Sequence, residues 1–119
     1  MTGTFDAKLM LIETSSAMTT TTTGSAVDFH GDDLYEVNYK AVVSGSVSGT
    51  SPKIVLKIQG SDDKSNWHDI VTFPDIEAAG VWDMQARGTG RFRRAVATVS
   101  GTSPSFGSVK VGVSTGAFN

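Results

Sequence analysis

The segment Lys53-Ile54-Val55-Leu56-Lys57-Ile58 sets Ile54, Leu56 and Ile58 on alternate positions, with Lys53, Val55 and Lys57 between them. That period of two is the mark of an extended strand with one buried and one wetter face. Gly60-Ser61-Asp62-Asp63-Lys64-Ser65-Asn66 follows, small polar residues that bond their own backbone, and predicts a turn. Trp67-His68-Asp69-Ile70-Val71-Thr72-Phe73 then predicts the return arm, closed by Pro74, which has no amide to give a ladder. A β-hairpin over Lys53 to Phe73 is therefore expected, with other strands arranged around it.

The rest of the chain repeats the pattern. Tyr35, Val37, Tyr39, Ala41 and Val43 fall on one face of a strand from Leu34 to Val43, and Val109, Val111 and Val113 on one face of another. Trp82 and Met84 share a side of Val81 to Ala86, while Phe92, Arg94, Val96 and Thr98 alternate against Arg93, Ala95, Ala97 and Val99. Ala7 to Glu13 and Ala26 to His30 are further strands, and the threonine run Thr19 to Thr23 is an edge strand or extended loop, because β-branched residues favour extended backbone. Ile76 to Ala79 is the one segment that suits a helical turn. The expected fold is all-β, a single antiparallel β-sandwich or jelly-roll-like domain of about seven to nine strands. Residues 1–6 are expected to form a flexible arm and residues 7–119 the domain.

Val47-Ser48-Gly49-Thr50-Ser51-Pro52 recurs letter for letter as Val99-Ser100-Gly101-Thr102-Ser103-Pro104. Two similar turns joining hairpins would use these residues; a ligand loop used twice is the alternative. Neither copy holds a titratable side chain, which makes poor material for catalysis but adequate material for contacting another protein.

The chain has 119 residues, a net charge of −2, 18% charged residues and no cysteine. One domain is expected, without disulfides, thiolate metal sites or cysteine nucleophiles. The charge does not advertise nucleic acid or an anionic membrane. With no basic leader and no long apolar run, a soluble, unprocessed protein is expected. Asp62, Asp63 and Asp69 with Asn66, and separately Asp28, Asp32 and Asp33, offer oxygens to calcium but lack EF-hand spacing, and turn capping accounts for them more simply. His30 and His68 are the only histidines, and neither Gly-x-Ser-x-Gly nor His-Glu-x-x-His occurs; a non-enzymatic protein without cofactor or metal is expected. Arg87, Arg91, Arg93 and Arg94 lie in a stretch without an acid, from Gln85 to Gly107. Arginine suits planar, bidentate partners, here a neighbouring protein or local ion pairs. Trp67 and Trp82 are expected in the core.

The run Lys57-Ile58-Gln59-Gly60-Ser61-Asp62-Asp63-Lys64-Ser65-Asn66-Trp67-His68-Asp69-Ile70 resembles a hairpin of small β-sandwich virion proteins of tailed bacteriophages, foremost the capsid decoration (cement) proteins. Gly90-Arg91-Phe92-Arg93-Arg94-Ala95-Val96 resembles the basic, aromatic strand that follows in the same proteins, and Lys64 stands where their turn usually has glycine. The resemblance implies a structural protein, made in the host cytoplasm, that clusters as homotrimers on the virion surface. It would bridge copies of the major capsid protein and bind neither nucleic acid nor membrane. Under it, Thr2, Thr4 and Phe5 of the arm, the Thr19 to Thr23 segment and Arg87, Arg91, Arg93 and Arg94 are the expected partner contacts. A tail- or baseplate-associated sandwich and a carbohydrate-binding module are the alternatives.

Overall fold

The structure, a computed structural model, describes residues 5–14, 16–28, 37–87 and 91–114. Its strands are β1 (Phe5–Glu13), β2 (Thr22–Thr23), β3 (Val27–Asp28), β4 (Val37–Ser61), β5 (His68–Thr72), β6 (Gly80–Ala86) and β7 (Phe92–Ser114). All pairings are antiparallel, as the alternating faces predict. Hydrogen bonding links them in one seven-stranded sheet, in the order β1, β7, β4, β5, with β2 and β3 also on β7 and β6 also on β4. β1 starts at Phe5, inside the residues expected as an arm. No helix occurs among the described residues. Ile76, expected in a helical turn, makes instead a fully buried bridge to Ile54, with hydrogen bonds of 2.8 and 3.0 Å.

β4 and β7 form the spine. They have 25 and 23 residues and pair from Tyr39–Val113 at one end to Ser61–Phe92 at the other. Straight, β4 would extend roughly 80 Å at about 3.3 Å per residue; the longest dimension of the molecule is 40 Å. The bend lies at the repeated hexapeptide. The two copies are not separate turns but pair with each other, Thr50 opposite Thr102. Val47–Phe106 and Ser48–Ser105 on one side are matched by Ile54–Val99 and Lys53–Ser100 on the other. Gly49 and Gly101 have φ of 111° and 114°, and Ser51 and Ser103 have φ of 50° and 49°. These left-handed residues break the register on each side of Thr50 and swing both strands together. The site has an approximate internal dyad. It extends outward, for the bridges Met18–Phe106 and Ile54–Ile76 occupy equivalent places, Ile54 and Phe106 each following its proline by two residues.

The dyad divides the sheet into halves. In the Tyr39 half, β6 and β1 flank the paired stretch of β4 from Val37 and β7 to Ser114. In the Arg93 half, β5 flanks the end of β4 while β2 and β3 flank the start of β7. Between β1 and β3 the described residues keep to the edge of β7, with Met18 and Phe106 exchanging two backbone bonds. Threonine hydroxyls supply further acceptors along this edge. Val109 N–H donates to Thr14 Oγ1 and Val99 N–H to Thr21 Oγ1. The threonine run is therefore edge structure, with Thr22 and Thr23 in β2.

The inner faces carry the side chains the alternation predicts. Tyr39, Ala41, Val43, Val109 and Val111 in one half and Ile54, Leu56, Ile58, Ala95 and Ala97 in the other are buried in one core, joined by Phe73, Ile76 and Phe106. Removing this apolar surface from water is the dominant stabilising term. Arg93 Nη1 donates to Tyr39 Oη over 2.5 Å, both residues fully buried. Because Arg93 pairs with Gly60, this bond joins opposite ends of β4 and fastens the folded sheet.

Candidate functional site

The described residues that carry the resemblance gather in the Arg93 half, and those whose side chains point outward form one face there. The hairpin forms as predicted, with Lys57 opposite Thr72 and Gly60 opposite His68. At its tip the Asp63 carboxylate accepts from the backbone amides of Ser65 (2.8 Å) and Asn66 (2.9 Å), from Asn66 Nδ2 (2.9 Å) and from Ser61 Oγ (2.9 Å). Ser61 Oγ in turn accepts from the amides of Asp63 and Lys64. The amides of Asn66 and then Ser65 hold the Asp63 carboxyl far below the usual carboxylate range. Its oxygens are committed to the turn, which is the capping expected of this acid. Lys64 sits at φ 65°, the left-handed conformation that glycine adopts without penalty.

Trp67, expected in the core, is half-buried on this outer face. Its indole N–H donates to Lys64 O, and the Arg94 guanidinium lies 4.2 Å from its ring centre. From there polar contacts run across the strands. Arg94 Nε donates to Gln59 Oε1, Gln59 Nε2 to Asp69 Oδ1, and Lys57 Nζ to Asp69 Oδ2 at 3.3 Å. The bonds from Gln59 and then Lys57 lower the Asp69 pKa. Trp82 packs against the core as predicted.

The predicted contact arginines separate. Arg91 forms a two-pronged pair with Asp28 at 2.9 and 2.8 Å, which raises its pKa, and its amide donates to Asp62. The cationic groups of Lys64 and Arg91 lie 4.7 and 5.3 Å from the ring centre of Phe92. Arg93, expected on the surface, is a core residue, because strand alternation sets it with Ala95 and Ala97. That corrects its assignment as a direct partner contact. Arg87 is exposed just beyond β6. Phe5 opens β1 opposite Ser114, while Thr2, Thr4, His30, Asp32 and Asp33 lie outside the described residues.

The surface so built is a rigid polar shelf of aromatic, guanidinium, amide and carboxylate groups, most of them bonded to one another. It can make planar polar contacts with another macromolecule at little ordering cost. An open cleft of about 390 Å³ is lined by β1 and β2 and the residues that follow them, mainly Met10, Leu11, Ile12, Thr22, Thr23 and Gly24. Among the described residues no helix is long and apolar enough to cross a membrane. No family model, curated protein or solved structure matches this chain.

Proposed function

We propose that the protein is a non-enzymatic phage capsid decoration (cement) protein, which binds the outer surface of the major capsid protein lattice and stabilises the head. The observation that supports this reading is the Lys57–Ile70 hairpin. The residues that resemble the decoration-protein hairpin fold into a self-capped tip, backed by the Trp67–Arg94 stack and the Gln59–Asp69–Lys57 chain. A rigid, chemically inert projection of this kind suits many modest contacts repeated over a lattice, where avidity supplies the strength that one contact lacks. No reaction, cofactor or metal is needed.

The test is co-sedimentation of the purified chain with phage heads stripped of decoration protein, followed by thermal disruption of the decorated heads. Saturable binding at a fixed ratio to the major capsid protein, with a higher disruption temperature, is expected. Absence of binding to stripped heads would remove the reading.

A further inference from the structure

Among the described residues, the outer edge of β6 is the most regular open edge. β6 pairs with β4 from Gly80 to Ala86 without a register shift, whereas the pairings of β1 and β5 are broken by bulges. Among the described residues no strand lies on its other side. Such an edge presents a row of backbone donors and acceptors that another strand can take up. The usual safeguards are sparse here. Gly80 to Ala86 contains no proline and one charge, Asp83, and Val81 is 56% exposed.

We propose that a second copy of this chain pairs antiparallel with the β6 edge, continuing the sheet across a two-fold axis at Gln85. The distribution of charge favours a second copy in this register. Asp83, Gln85 and Arg87 are exposed and share one side of the strand, while Trp82, Met84 and Ala86 face the other and pack against the core. With the axis at Gln85, Asp83 of each copy stands opposite Arg87 of the other, forming two equivalent cross-strand ion pairs, and Met84 stands opposite Ala86. An axis at Asp83 would oppose two carboxylates and one at Arg87 two guanidinia, both unfavourable. Lys40, opposite Asp83 on β4, is buried and engaged with another group. In this register Asp83 to Arg87 of each copy pair with one another, a contact that covers less surface than a permanent dimer needs, so the pair is dissociable and its population depends on concentration. This inference concerns self-pairing and does not rest on the capsid reading.

The absence of cysteine makes a clean test possible. The Gln85→Cys variant faces itself at the axis and should oxidise to a disulfide-linked dimer. Val81→Cys, whose two copies would stand roughly 26 Å apart at about 3.3 Å per residue, should not. By light scattering, the unmodified protein should rise with concentration from its 12.5 kDa mass toward twice that value. Arg87→Asp should weaken the dimer about tenfold, the loss of two cross-strand pairs, and adding Asp83→Arg to it should restore dimerisation. A monomer at every concentration would overturn the pairing. So would a mass three times the monomer, equal cross-linking at both cysteine positions, or an Arg87→Asp variant that dimerises unchanged.

Discussion

The two halves of the sheet share a backbone plan and differ in what their outer faces do. Each joins a stretch of β4 to a stretch of β7 with a shorter run on either side, and a near-dyad at Thr50 and Thr102 relates them. The Arg93 half spends its polar side chains on itself, through Asp63, Trp67, Arg94, Gln59, Asp69, Arg91 and Asp28. The Tyr39 half has Lys110 and Glu13 at 3.9 Å and then the sparse edge of β6. Backbone architecture is thus set by inner-face alternation and by the hexapeptide, while the outer faces are left to diverge. One becomes a rigid shelf and the other an open edge.

If the halves are held at the dyad, the largest effect comes from disturbing it. A Cβ on Gly101 would stand 2.6 Å from Ser51 O at φ 114°, and on Gly49 2.6 Å from Ser103 O at φ 111°. Gly101→Ala and Gly49→Ala should each cost about 3 kcal/mol, and equal losses in urea unfolding would mark the two sites as equivalent. Unequal losses would break the comparison. Next is the bond that fastens one half to the other. Tyr39→Phe takes an acceptor from the buried Arg93 guanidinium and should cost about 2 kcal/mol. Burial raises the Tyr39 pKa above 10.0, against the opposing influence of Arg93. A raised pKa means the folded state keeps a proton that the unfolded chain releases. The contribution is therefore full below pH 10.0 and lost as pH climbs through the folded value; in Tyr39→Phe this alkaline loss should disappear.

These inner-face features show what the sequence could reveal. Ile54, Leu56 and Ile58, and Tyr39, Ala41 and Val43, were legible as buried faces because burial on a strand follows a period of two. The same alternation places Arg93 beside Ala95 and Ala97, but its charge argues for the surface, and only the distant Tyr39 reveals why it can be buried. The hexapeptide was legible as a repeat and not as a pair. Serine, glycine, threonine and proline suit a hairpin turn and a left-handed bulge equally, and which one forms depends on a partner strand about fifty residues away. Trp67 was misplaced for a related reason. A tryptophan stacked under an arginine on a sheet's outer face has the same local sequence as one turned inward.

Smaller effects sharpen the picture of the shelf. The Asp63 carboxyl is depressed from 3.8, so its contribution to stability is present above that pH and fades as pH falls toward the folded value. Melting temperature should decline on acidification in the unmodified protein and less steeply in Asp63→Asn, whose turn has already lost the charge. The smallest effect has the opposite sign. Lys64→Gly relieves the left-handed strain of a side chain at φ 65°, partly offset by the greater freedom glycine gives the unfolded chain, and should stabilise by about 0.5 kcal/mol in urea unfolding.

The most direct test of the fold is the proton NMR spectrum of the hexapeptides. Paired strands place Thr50 opposite Thr102 and Gly49 against Pro104, so cross-strand contacts should appear between Thr50 and Thr102 and between the Gly49 and Pro104 α-protons. If each copy instead shows only contacts within itself, as two independent hairpin turns would, the dyad and the folded spine built on it are wrong.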